Sequence, residues 1–190
     1  KMPIKNIITV PNEILRKKSQ LVEKITNLEK TLVNDMFETM YEACGVGLAA
    51  PQIGRSIRLF IIDASPFADE DADMDGFRKV FINPQIVEES GEKWNFNEGC
   101  LSIPSIREDV SRLSKIRIRY QDQDFNTLEE EYDGTKARII QHEYDHLEGV
   151  LFTDYLSAIK KRLLKRKLND ISKGNVKVDY RMKFPLKKVR

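Results

Sequence analysis

The 190-residue sequence predicts an α+β fold, and three observations carry that expectation. Residues 58–63 and 79–83 are short apolar runs of the length and side-chain type of buried strands, and 115–120 alternates strictly between apolar and polar residues. Apolar residues recur with helical period over 27–43 and 135–147. Strands and helices do not alternate as βαβ units, which argues against a doubly wound parallel sheet.

Taken in order, 27–43 places Leu28, Leu32, Met36, Phe37 and Met40 on one stripe, the pattern of a helix with a single buried face. Between the strands 58–63 and 79–83 lies 63–76, with six acidic residues, Pro66 and Gly76, which reads as an exposed loop. Residues 115–120 form a half-exposed strand, and 128–132 pairs near it. Asp133-Gly134 is a turn signal opening the helix 135–147, where Ile139, Ile140, Tyr144 and Leu147 keep the helical period. A second, basic helix spans 157–171, with Ile159, Leu163, Leu164 and Leu168 expected to dock one face on the domain, and 176–184 is expected to add a last strand.

Composition bounds the function. With 41% hydrophobic and 33% charged residues, the chain is a globular domain with a core, and 1–190 is expected to be one domain with a basic helix and tail from about 157. No run approaches the roughly 20 apolar residues of a spanning helix, so no membrane partner is expected. The opening residues lack the apolar core of a signal peptide, and Lys1 ahead of Met2 reads as a trimmed start. Two cysteines cannot build a disulfide scaffold. Secreted toxin, membrane span and collagen are excluded, and the composition suits a reducing compartment, a cytoplasm or an organelle reached after removal of a presequence. Of the 32 Lys and Arg, 13 fall in 159–190 against only Asp170 and Asp179, a pattern that suits either a polyanion partner or a solvated helix face.

The chemistry concentrates in three segments. His142-Glu143-Tyr144-Asp145-His146 matches H-E-x-x-H within a helix, and it holds both histidines of the chain. Residues four apart share a helix face, so both imidazoles reach one metal ion with Glu143 beside it as a base. A catalytic site of this kind takes three protein ligands and leaves one position open. The third is Cys100, in Glu98-Gly99-Cys100-Leu101-Ser102, or a carboxylate elsewhere; Cys44, after a helix end and without ligand-like neighbours, reads as a packing residue. The glycine-rich stretch 45–54 reads as a turn into a strand or as a poor phosphate loop, and Gln52 matters if it faces the metal, where its amide can donate to a developing oxyanion. A zinc peptidase built on the same helix would recruit a downstream His or Glu, and no histidine follows His146.

Together, Gly45–Gln52 as GxGLAAxQ, Glu98–Ser102 as EGCLS and Gln141–Gly149 as QHExDHLxG resemble the peptide deformylase family, which carries these motifs in this order. The resemblance implies antiparallel and mixed β-sheets surrounding a central helix that bears His142 and His146. It implies hydrolysis of the formyl group from the N-terminal formylmethionine of nascent polypeptides. By the same match Cys100, His142 and His146 bind a divalent metal, in this family ferrous iron, with Ni2+ or Co2+ as active substitutes and Zn2+ suited by donor chemistry. Glu143 handles protons, Gln52 and the Leu101 N–H polarise the formyl oxygen, and the backbone around Val46–Gly47 and Gly99 holds the peptide. Ile139 and Val46 wall the methionine pocket, Arg107 borders the peptide site, and Arg112 pairs with Glu98. Thr135 and Arg138 depart from the apolar residues often found beside that pocket. A deformylase meets its substrate at the ribosome, so the basic C-terminal helix is expected to meet ribosomal RNA.

Overall fold

A computed structural model describes residues 4–185; the Lys1-Met2 start and the last residues of the basic tail lie outside them. Among the described residues, strands β2 (Gly47–Ala49), β3 (Leu59–Asp63), β4 (Arg78–Cys100), β5 (Ile103–Gln121) and β6 (Thr127–Asp133) form an antiparallel sheet in chain order. β1 (Ile7–Ile8) pairs in parallel with β7 (Met182–Lys183), joining the two ends of the described chain. Helices α1 (Asn27–Glu42), α2 (Gly134–Leu147) and α3 (Ala158–Ser172) complete the architecture, which is α+β as the sequence predicts.

β3 explains how the layers stack. Leu59 and Ile61 pack with Leu32, Met36, Phe37 and Met40 of α1, while Phe60 and Ile62 join Phe81, Ile118, Ile140 and Leu147 on the α2 side. Successive side chains of a strand point to opposite faces, so a strand between two helices must be apolar at every position. α1 begins at a capping box between Thr26 and Glu29. Its first-turn Leu28 is 61% exposed, so the buried stripe starts at Leu32 rather than at Leu28.

β4 and β5 are far longer than the runs 79–83 and 115–120 that mark them in the sequence. Their hairpin carries register shifts between Ile82 and Gln85, Ile86 and Glu88, Ser90 and Lys93, and at Gly99/Cys100. Pro84, which has no N–H for the ladder, falls in the first of these irregularities. Loop 63–76 is exposed at its acidic residues from Asp69 to Asp75, as expected, while Asp63 is half-buried at the end of β3 and Met74 is buried. The expected strand 176–184 shrinks to Met182–Lys183. α3 docks through Leu164, Ile171 and the half-buried Leu168, whereas Ile159 and Leu163, expected on that face, are 73% and 74% exposed.

α2 is stopped by a Schellman arrangement: Val150 N–H bonds Asp145 O at 2.9 Å and Gly149 N–H bonds His146 O at 3.4 Å. Gly149 has φ +74°, and a Cβ there would lie 2.4 Å from the Arg16 carbonyl oxygen. Gly149→Ala therefore combines left-handed strain with a backbone clash, and it is expected to destabilise the fold by about 1–3 kcal/mol. Thermal unfolding checks this: a Tm equal to that of the parent protein would show that the close approach is not sterically limiting.

Candidate metal centre and active site

His142 and His146 project from one face of α2 with ring centroids 5.2 Å apart. Cys100, the last residue of β4, brings its Sγ to 3.5 Å from His146 Nε2, and the three ligand atoms lie within 4.8 Å of one another. Of the two candidates for a third ligand that the residues alone leave open, Cys100 and a carboxylate, the thiol is the one that stands with both imidazoles. One sulfur and two imidazole nitrogens suit a tetrahedral or related centre with an open position. Glu143 fits the same purpose: it is buried, and its Oε2 has no hydrogen-bond partner. An unpaired buried carboxylate oxygen is costly unless a water or ion meets it.

The His142 imidazole is held from behind, whereas the buried His146 Nδ1 has no hydrogen-bond partner. Glu98, 3% exposed, lies with Oε1 3.3 Å from His142 Nδ1, which leaves Nε2 to face the centre. Arg112 approaches the same carboxylate at 3.2 Å and donates to Asp145 at 2.6 Å, and the Tyr155 hydroxyl donates to Asp145 at 2.8 Å. Burial pushes Glu143 up to about 7; a divalent cation beside it would pull it back down. Burial opposes charge on His142, yet hydrogen bonds to Cys100 and Glu98 carry it well above the usual imidazole range. Burial and the neighbouring His142 charge hold His146 well below that range.

The glycine-rich stretch is strand and turn, not a phosphate loop. β2 runs so close to α2 that a Cβ on Gly47 would lie 2.5 Å from Glu143 Oε1. A 3-10 turn at Ala50–Ile53, opened by Pro51, then turns Gln52 inward, where it is 1% exposed. Gln52 Oε1 accepts from Ala49 N–H at 2.9 Å, which fixes the amide so that Nε2 faces the centre. Nε2 donates to Ser102 Oγ at 3.0 Å and lies 3.6 Å from Cys100 Sγ.

A cleft of about 610 Å³ opens over these groups, lined among others by Val46, Gly47, Gly99, Leu101, Arg107 and Ile139. Gln52, Cys100, His142 and Glu143 line it as well, whereas His146 lies behind Cys100 and is not part of the lining. Arg138 lines it too, but its guanidinium is turned away, donating to Val110 O at 2.6 Å and Trp94 O at 2.7 Å, so a polar residue is accommodated beside an apolar pocket. Arg107 holds the Asn97 backbone and side chain at 2.6 and 2.9 Å. Cys44 is not a packing residue: it is exposed on the cleft rim with φ 54° at the end of α1. Sequence reasoning passed over Ser102, although it adjoins Cys100, and Asp145 and Tyr155, whose roles arise only when α2, β5 and the 152–155 turn meet. Segment 177–180, expected only as part of a last strand, walls the cleft, a placement that its alternating pattern does not reveal.

Comparison with known proteins agrees with this geometry. The family profile described as polypeptide deformylase matches residues 4–162. A peptide deformylase of Christiangramia forsetii is 53% identical over 187 residues, covering 94% of this chain and 95% of its own; one from Flavobacterium psychrophilum is 53% identical over 190 residues, covering 96% and 97%. Among solved structures, a peptide deformylase from Legionella pneumophila superposes with a TM-score of 0.79 at 40% identity, covering 91% of this chain and 98% of its own. One from Ehrlichia chaffeensis reaches 0.82 at 36% identity, covering 91% and 99%. A likeness that runs through sequence and backbone over nine-tenths of both partners leaves one assignment: the chain belongs to the peptide deformylase family.

Proposed function

We propose that the protein removes the N-formyl group from the formylmethionine heading nascent polypeptides and releases formate. The observation that carries this reading is the buried Glu143 carboxylate, with one oxygen unpaired, beside the Cys100–His142–His146 cluster at the floor of the cleft. Cys100, His142 and His146 hold a divalent ion, and we assign ferrous iron to the working enzyme. Bound there, such an ion supplies Lewis acidity and a water of lowered pKa. Glu143 accepts the proton of the attacking water and delivers it to the amine nitrogen as the formyl C–N bond breaks. Gln52 Nε2 and the Leu101 N–H donate to the formyl oxygen as it gains negative charge. The backbone of Val46–Gly47 and Gly99 holds the peptide in a strand-like pose, Val46 and Ile139 receive the methionine side chain, and Arg107 stands at the rim.

The whole of 1–190 acts in this reading as one domain, which the β1–β7 pairing supports by joining the two ends of the described residues. No helix among the described residues is long and apolar enough to cross a membrane, and we place the enzyme in a bacterial cytoplasm, where formylated chains begin. The basic helix meets the ribosome: Lys160, Lys161, Arg162, Lys165, Arg166 and Lys167 are all exposed, and so are Ile159 and Leu163 among them.

Glu143→Gln is isosteric but cannot take a proton, so it is expected to keep its metal and lose 10²- to 10⁴-fold in turnover of a formyl-Met peptide. Turnover above about a tenth of wild type would remove Glu143 as the base. Cys100→Ser replaces a soft thiolate by a neutral hydroxyl, so metal content after dialysis is expected to fall or to change in kind. Unchanged metal content would make Cys100 a packing residue. Replacing the six α3 cations by Gln is expected to abolish ribosome co-sedimentation at low salt while turnover of a short peptide stays put. Co-sedimentation that survives this change would place the contact elsewhere.

A further inference from the structure

Leu101 and Ser102 form the entire turn between β4 and β5, because Cys100 pairs with Ile103. Residues in so short a turn lie outside the ladder, so their carbonyls find donors on other elements or go without. Ser102 O accepts the Val10 N–H at 3.1 Å. Leu101 O accepts the Tyr180 hydroxyl at 2.8 Å, from a residue 79 positions further along the chain. Tyr180 is itself held in place. Its neighbour Arg181 accepts the Ile7 N–H through its carbonyl at 3.0 Å, β7 pairs with β1 directly after it, and its side chain packs on the α1-side core. Val178 and Tyr180 are half-buried while Lys177 and Asp179 are exposed, so the segment lies against the cleft wall with alternate residues turned inward.

We propose that Tyr180 is a positioning residue for deformylation, whose hydroxyl fixes the Leu101 carbonyl and through it the direction of the Leu101 N–H toward the formyl oxygen. The inference rests on the reading of Leu101 as an oxyanion donor. The carbonyl and the N–H of Leu101 are separated only by the φ and ψ of one residue, so a carbonyl released from its anchor frees the donor to turn. The same turn follows directly on Cys100 and carries the Ser102 hydroxyl that receives Gln52, and Val10 and Gln52 remain as its other anchors. Losing one anchor of three therefore loosens the donor without dismantling the site. Misplacement by about 1 Å can lower a rate by about 10²-fold, and a turn still held at two points is expected to lose about tenfold.

Tyr180→Phe removes the hydroxyl and keeps the ring. With metal-loaded enzyme and a formyl-Met tripeptide, kcat is expected to fall about tenfold, because the donor acts on charge that develops in the transition state. KM, metal content and affinity for the deformylated tripeptide are expected to stay within about twofold. A purely structural role would lower Tm and leave kcat per metal-loaded site unchanged, and that result overturns the proposal. A loss of rate matched by lost metal or by an equal rise in KM also overturns it. Failure of the wild-type enzyme to release formate brings down the functional reading and this proposal with it, whereas wild-type kcat in Tyr180→Phe brings down the proposal alone.

Discussion

The buried carboxylate of Glu98 is the constraint around which the centre is arranged. A carboxylate at 3% exposure loses its hydration and is tolerated only where partners replace it. The partners come from two other elements: Arg112 from β5, and His142 and Arg138 from α2, the last at 3.8 Å. Arg112 in turn faces Asp145, so charges of alternating sign run from β4 through β5 to α2. Burial raises Glu98 and the adjoining His142 and Arg112 lower it, with the net shift downward, which keeps it ionised. Removing one member would strand the others, so the cluster locks α2 to the end of β4. Cys100 follows Glu98 by two residues. The group that locks the elements together also sets the distance at which the thiol meets the imidazoles.

Close backbone approach does the rest. Gly47 lets β2 lie against Glu143, and Gly149 lets the turn after α2 lie against Arg16. The C-terminal carbonyls of α2 are taken up by the chain around it: Leu147 O accepts from the Ser19 N–H and hydroxyl and from Arg58. The helix that carries His142, Glu143 and His146 is thereby fixed at its end as well as along its face, and Glu98 fixes the His142 ring. Such preorganisation is what a centre needs if Glu143 and Gln52 are to act on one small group.

Much of this was legible because it is periodic or chemically distinctive. The stripe Leu32–Met36–Met40 and the pair His142/His146 both obey helix geometry, and α1 and α2 fall where that geometry puts them. β3 was legible as an unbroken apolar run because both of its faces are covered. β4 and β5 were not, since much of their length is solvated and interrupted by Pro84, Gly91 and irregular register, which erase the alternation that marks a strand. α3 misled in a different way: its leucines satisfy the period of two adjacent faces, and only packing against Phe152 and Leu156 selects the one with Leu164 and Ile171. The motif glycines, Gln52 and Cys100 drew attention by residue type, whereas Tyr180 and Asp145 matter by position, which no local pattern encodes.

The parallel pairing of β1 with β7 has a consequence in the order of synthesis. Ile7 and Ile8 are made well before their partners Met182 and Lys183, which stand at the far end of the described residues. At a synthesis rate of about 5–20 residues per second, the first strand waits on the order of 10–35 s for the second. Over that interval the sheet β2–β6 and both core helices can assemble, while the segment that walls the cleft and anchors Leu101 is still unmade. The cleft therefore acquires the wall formed by 177–180 only after every other element that lines it has been made.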